Sequence, residues 1–425
     1  MGTLVYGKYL ILDSETWVDS GAVYVEGGRI KEAGPYTDIK KKYRPDKEIG
    51  SDHHLITPGF VNAHGHGKGV TDFQRGHIDD TLETWKFRSY PPIDIYCDTM
   101  WAAVKQLEAG VTTTMHNHNL TQSQDYMAEF ERILDAYRTC RLNIALAPAL
   151  ANKSWFVYGD NEAFMRSLPP HLEDLCRERV RGSNRFGPQE YFDAVQRLRR
   201  ERTSQNVTIM HGPMSPQWVD EDSLKSIQED SLSNNTRIHI HVQQTQLQYL
   251  YGYKEYGKTL IQYLYDLGFF EADVTCGHAV WISREDIAVL ADAGVTVTHH
   301  PACNLRVRNG VSPVYHLLEA GVPVGIGMDD KELGDDKDFI EEMCLVSKLH
   351  RVPSHELDSP HLLPKDAFRM GTEYGAKTLG FDADVGTIEQ GKKADLVLFD
   401  INRITEPFVA PFHSPIDLLI YRGSA

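Results

Sequence analysis

Eight short apolar runs punctuate this chain and constrain its fold more than any other feature: residues 61–64, 112–116, 144–148, 207–211, 238–241, 274–278, 295–299 and 322–329. Each is of strand length, and helical patterns such as 98–109 and 284–293 separate several of them. Strands that alternate with helices pair in parallel, because each crossover returns the chain to the same end of the sheet. Eight such units predict an α/β architecture, a closed (β/α)8 barrel of the TIM type. No repeat of about 20–50 residues is visible, which argues against a solenoid.

The two ends of the chain read differently. Residues 23–31 spell a strand, a Gly27-Gly28 turn and a second strand, and residues 386–400 read as strand, turn and strand again. Sheet-forming ends can pair with each other, since domain termini often lie close together. The expected division is a small composite β-sandwich from residues 1–57 and 381–425, with the barrel over residues 58–380.

Composition narrows the function classes. A formal net charge of −16 argues against a nucleic-acid or anionic-membrane surface, which needs clustered Lys and Arg. Arg197, Arg199, Arg200 and Arg202 lie at helical spacing around Glu201 and read as a solvated helix face. No apolar run approaches the roughly 18 residues of a membrane span, and the first residues lack the pattern of a signal peptide. Tyr6 stands where a myristoylation signal wants Ser or Thr. The six cysteines are scattered with no C-x-x-C pair, which suits free thiols in a reducing cytoplasm. The expected partner is a small-molecule substrate.

Seven of the eight runs end at or just before a His or Asp; the third ends in Ala147-Pro148 instead. In a barrel of this kind the C-terminal strand ends carry the chemistry. His64 and His66, two apart on one strand, project to the same side and offer half a tetrahedral metal site. A surface turn that happens to hold two histidines is the alternative, and it leaves the other strand ends unexplained. His241 closes the fifth strand and Asp329 the eighth, giving three imidazoles and one carboxylate. That set suits one divalent ion, Zn²⁺ first and Fe²⁺ or Mn²⁺ next, better than Ca²⁺ or Mg²⁺.

A bound ion lowers the pKa of its water toward ~7. Asp329 is placed to bind the ion and take the water's proton, and His278 to orient the attacking hydroxide or polarise the substrate oxygen. His239 shares the parity of His241 and reads as a core histidine or, less readily, as a support for the site.

The stretch Pro58-Gly59-Phe60-Val61-Asn62-Ala63-His64-Gly65-His66 resembles the opening signature of the amidohydrolase superfamily. His278-Ala279-Val280-Trp281, His299-His300-Pro301-Ala302-Cys303-Asn304 and Gly325-Ile326-Gly327-Met328-Asp329 resemble later signatures of its chlorohydrolase and nucleobase-deaminase branch. Segments 375–380 and 391–396 are similar to that branch's closing segments, so the resemblance spans nearly the whole chain in order. It implies a distorted (β/α)8 barrel with a β-sandwich from both termini, and a divalent metal on His64, His66, His241 and Asp329. By family analogy it also implies a homo-oligomer.

Three departures from that pattern matter. Deaminases of the branch resemble one another in a H-x-x-E after strand five, but here His241 is followed by Val242-Gln243-Gln244, and residues 245–248 hold no acid. Gln244 can hydrogen-bond a substrate but cannot act as an acid. No lysine stands near Met210-His211-Gly212, so the lysine that bridges two metals in other branches is missing. This favours one ion, although His116 and His118 could join His278 around a second. Finally, relatives usually carry a further strand pair after the segment like 413–418; a smaller satellite sheet or a chain cut short fits its absence.

Substrate signals are thinner. His116 and His118 are expected to line the pocket, with Gln244, Asn304 and Trp85. Trp85, Phe87 and Tyr90 follow strand one, and Trp155, Phe156 and Tyr158 follow strand three; they either cover a flat or apolar substrate or pack the loops onto the barrel. The expected activity is hydrolysis of a C–N bond of amide, urea or (thio)carbamate type by metal-bound hydroxide. The alternatives are a deaminase or dechlorinase of a purine, pyrimidine or triazine, and a non-catalytic binder that kept the metal site.

Overall fold

The computed structural model describes residues 2–85, 87–88, 91–119, 125–153, 156–181, 187–351 and 361–424. Tyr90 and Trp155 lie outside the described residues.

The chain begins with β1 (Gly2–Ile11), β2 (Trp17–Glu26), β3 (Arg29–Pro35) and β4 (Lys47–Pro58). The β2–β3 hairpin turns at Gly27 and Gly28, with φ of +61° and +76°, the left-handed backbone that a two-residue turn needs. β4 lies parallel beside β1 and runs almost directly into β5 (Phe60–Asn62), the first barrel strand.

Parallel strands follow: β6 (Val111–His118), β7 (Asn143–Leu150) and β8 (Val207–Ile209), with the short β9 (Gly212–Pro213) paired to β7. Next come β10 (Ile238–Val242), β11 (Val274–His278), β12 (Thr296–His299) and β13 (Val324–Ile326). They form two parallel sheets, in the orders β5-β6-β7-β8 and β10-β11-β12-β13. Main-chain hydrogen bonds link the sheets at both edges. Ala63 N–H donates to Ile326 O at 2.8 Å, and His239 N–H to His211 O at 2.8 Å. All eight expected strand positions are strands or lead directly into them.

Inside the strands, Val61, Met115, Ala145, Ala147 and Met210 pack with Ala376 and Leu379 into an apolar plug. Outside, a larger core of Ile, Leu, Val and Phe side chains seals the strands against the helices. The C-terminal ends of the strands carry the buried His64, His241, His278, His299 and Asp329. No helix among the described residues is long and apolar enough to cross a membrane.

At the other end of the chain, β14 (Leu396–Asp400) pairs antiparallel with β4 and completes a sheet of order β14-β4-β1-β2-β3. The strand-turn-strand pattern over 386–400 yields this one strand; Lys393 makes only an isolated bridge to Arg29. Beyond it the chain is helical, not extended. Ser414, Pro415 and Asp417 form a capping box that starts the helix Pro415–Arg422, whose buried Ile416, Leu419 and Ile420 join the core of the barrel layer. The expected sheet region over 381–425 therefore gives a single strand to the sheet and a helix to the barrel.

Candidate metal centre

The strand ends bring an unusual set of donors together. Asp329 Oδ1 lies 3.1 Å from Nε2 of both His64 and His66. Its Oδ2 lies 3.6 Å from His278 Nε2 and from His300 Nδ1, and accepts from the Cys303 thiol at 2.9 Å. Ligand atoms of His64, His66 and His241 fall within 4.8 Å of one another, as do those of His64, His278, His300 and Asp329.

Local backbone explains how short strands aim these side chains. His278 and Asp329 sit at φ of +69° and +55°, a region that costs a non-glycine residue roughly 1–3 kcal/mol. The turn redirects each side chain from the strand onto the shared centre. Gly327 permits the close approach beneath: a Cβ there would lie 2.6 Å from His64 Cβ.

Hydrogen bonds fix the imidazole tautomers. His66 Nδ1 and His241 Nδ1 each face a main-chain carbonyl, of Asn117 and Met214, at 2.8 Å. A carbonyl can only accept, so both Nδ1 atoms carry the hydrogen and both Nε2 atoms present lone pairs. His64 Nδ1 lies 2.8 Å from His239 Nε2, and donation to it gives His64 the same tautomer. His278 Nδ1 donates to Asn304 Oδ1 at 3.1 Å, leaving its buried Nε2 with no hydrogen-bond partner among the described residues.

Electrostatics follow from this crowding. Burial, and next His300, hold His64 and His278 well below the usual imidazole range. Burial and then His66 bring His241 down to about 3. Burial alone would raise Asp329, but the imidazoles, His64 first, outweigh it and keep the carboxylate charged. His66 goes the other way: burial would lower it, but the Asp329 carboxylate outweighs that and raises it, so three lowered imidazoles and a fourth paired with the anion converge on one point. A divalent cation with nitrogen and oxygen donors fits that arrangement, zinc in the first place.

The structure brings His64, His66, His241, His278 and Asp329 together, as their strand ends imply. Asn304 stands beside them, its Oδ1 taken by His278 and by Asn309 Nδ2 at 3.0 Å, while its buried Nδ2 has no hydrogen-bond partner among the described residues. Gln244 is buried three residues past His241, its main-chain N–H held by Gln248 Oε1 at 2.8 Å. Trp85 donates from Nε1 to Asp72 Oδ2 at 2.6 Å, with the Lys331 and Lys68 ammoniums 4.6 and 4.8 Å from its ring centre. Asp72 is itself lowered to about 2: burial would raise it, but Lys68 and Lys331 outweigh that.

His116 and His118 are not brought to the group as pocket-lining residues. They face the helix Tyr126–Cys140, where Tyr137 Oη lies 3.3 Å from His116 Nδ1 and Glu129 Oε2 lies 2.8 Å from His118 Nε2. On β6 it is Met115, of the opposite parity, that packs into the plug. His116 meets the site only from behind, under Gly67, where a Cβ would lie 2.1 Å from its Cε1.

Three participants escape the sequence reading. His300, not His299, enters the centre; His299 faces away, 3.2 Å from His350. The signal was parity, since His300 continues the alternation of Thr296 and Thr298 and lies 2.9 Å from Thr298 Oγ1. His239, expected as a core histidine, holds His64. Glu83, in the loop after strand one, accepts from Thr245 Oγ1 at 2.6 Å and so reaches the end of strand five; no local pattern announces that contact.

Residues 55–423 match the Amidohydrolase family. The chain is 30% identical over 411 residues to a 5-methylthioadenosine/S-adenosylhomocysteine deaminase of Desulforudis audaxviator, covering 95% of this chain and 85% of that protein. It is 28% identical over 407 residues to a 5'-deoxyadenosine deaminase of Methanosarcina mazei, covering 93% and 84%. Among solved structures, a zinc-bound adenosine deaminase from Xanthomonas campestris superposes with a TM-score of 0.81 at 21% identity, covering 99% of this chain and 89% of that one. At that identity the likeness shows the fold, an α/β architecture of the (β/α)8 barrel kind. Donor set, barrel and relatives agree: the chain belongs to the amidohydrolase family and is a hydrolase of carbon–nitrogen bonds.

Proposed function

We propose that this chain hydrolyses an amide, urea or carbamate type C–N bond in a small molecule, with His64, His66, His241 and Asp329 holding one divalent ion, zinc. The observation that carries this reading is that Asp329 is the only carboxylate in the donor groups among the described residues, while Gln244 occupies the acid's place after strand five. Cleaving an amide-type bond needs one base that relays a proton to the departing nitrogen. Deaminating an aromatic ring needs a second acid, at a ring nitrogen.

When bound, the ion supplies a water whose pKa is lowered toward ~7 and a Lewis acid for the substrate oxygen. With the ion in place, Asp329 Oδ2 would take a proton from water and pass it to the leaving nitrogen. His278 orients the water: with its Nδ1–H held by Asn304, Nε2 is left to accept from it. The two edge bonds between the sheets support a closed barrel around this centre. Six free cysteines support residence in the reducing cytoplasm, and the family likeness supports a homo-oligomer.

His239 acts on the ion through His64. His239→Ala is expected to weaken metal retention by about 10–100-fold, read as competition with a chromogenic chelator. Unchanged retention would reduce it to a packing residue.

A second reading, removal of the amino group from a 6-aminopurine nucleoside, has Glu83 in its favour. Its carboxylate at Thr245 brings an acid beside Gln244 from another loop. The names of the relatives support the same reading. A screen of ureas, carbamates, anilides and adenosine derivatives, scoring released amine against released ammonia, tests the choice. Amine release that survives Glu83→Gln supports the first reading; ammonia release that this substitution abolishes replaces it with the second.

A further inference from the structure

The loops over the barrel strands enclose a cavity of about 630 Å³, lined by none of the metal-centre residues. Phe87 enters it from the loop after strand one and Phe156 from the loop after strand three. Phe164 and Leu175 come from the helices Asn161–Arg166 and Pro170–Arg181. The Phe87 and Phe156 rings lie 5.8 Å apart and 12° from parallel, and Phe156 and Phe164 lie 6.3 Å apart at 30°. Three ring faces thus make one continuous wall, the surface on which another flat ring stacks best. The rings are half-buried and Leu175 is 59% exposed, so the apolar surface is open to a ligand. Only Glu178 and Arg179 bring charge to the lining, and they are of opposite sign, with the guanidinium 5.8 Å from the Phe87 ring centre. Size and lining are those of a small-molecule pocket, and the balanced rim selects an uncharged ring.

Both walls lead back to the metal centre. Phe87 follows Trp85 by two residues, and the ammonium of Lys331, two residues past Asp329, lies 4.6 Å from the Trp85 ring centre. Tyr158, two residues past Phe156, has its Oη 3.3 Å from Glu83 Oε1, which also accepts from Thr245 beside Gln244. We propose that this cavity holds an aryl substituent of the substrate, so that the enzyme acts on aryl amides, ureas or carbamates. It rests on the reading of the metal centre as one that cleaves amide-type bonds. Binding the ring away from the reacting atoms fixes the scissile bond over the ion.

The test compares kcat/KM for phenylurea and methylurea in the zinc-loaded enzyme and in two variants. Taking the ratio of the two substrates cancels any general loss of folded enzyme. The phenyl-to-methyl ratio should fall about 10-fold or more in Leu175→Glu, which sets a charge in the apolar lining, and should also fall in Phe164→Ala, which removes one ring. A ratio within about twofold of wild type in both variants would overturn the proposal. Phenol, which has no C–N bond, should compete with phenylurea; phenol that binds without competing would assign the cavity to a separate ligand and overturn it as well. Saturation-transfer NMR of phenylurea on chelator-stripped protein needs no turnover. Ring saturation present in wild type and lost in Leu175→Glu would uphold the aryl site even where no bond is cleaved, which separates failure of the reaction from failure of the site. Absent saturation, or saturation equal in both proteins, would overturn the site itself.

Discussion

Asp329→Asn is expected to lower kcat/KM by at least about 10³-fold while leaving the fold intact. The amide keeps the size of the carboxylate but loses its charge, its capacity to take a proton and much of its strength as a ligand. Around it stand His64, His66, His278 and His300, each with a ring nitrogen 3.1 to 3.6 Å from the carboxylate. Circular dichroism and a thermal melt close to wild type would assign the loss to chemistry. A decrease of less than tenfold would remove Asp329 from the proton path.

The second large effect is on stability. Lys337 is buried against Glu332 at 2.6 Å and Asp330 at 3.2 Å, and both carboxylates are buried as well. Burial works against the charged lysine, but Glu332 and Asp330 outweigh it and hold the ammonium above its ordinary value. Asp330 uses its other oxygen to accept from the main-chain N–H of His66 at 2.6 Å and of Lys68 at 3.1 Å. Lys337→Met would strand two buried carboxylates, a loss on the order of 3–5 kcal/mol. Urea unfolding should show a lowered midpoint, and metal retention should fall with it because the His66 loop loses its anchor. A loss under about 1 kcal/mol would mean the loop relaxes and exposes these acids to water.

The sequence made the strands and most of the strand-end residues legible. His64, His66, His241, His278 and Asp329 could be placed because each ends an apolar run, and strand ends in a barrel share one face. The sequence could not say which side of a strand faces in. β6 is buried on both faces, by the plug on one side and the helix Tyr126–Cys140 on the other, so its alternation carries no inside-outside signal. His116 and His118 therefore read as pocket-lining residues, although they face the helix Tyr126–Cys140. The C-terminal helix was misjudged because its apolar residues at 416, 419 and 420 were not weighed against the capping signal at Ser414. Glu83 and Thr245 are distant in sequence, and only the folded loops bring them together.

Imidazoles from separate strands and one carboxylate are read as holding a cation without which no bond is cleaved. The decisive experiment strips the purified enzyme with a chelator and titrates zinc back while following amine or ammonia release and the melting curve. Turnover should disappear on stripping with the fold retained, and return with the first equivalent of zinc. A stripped protein that still turns over substrate at the full rate would remove the metal from the reaction.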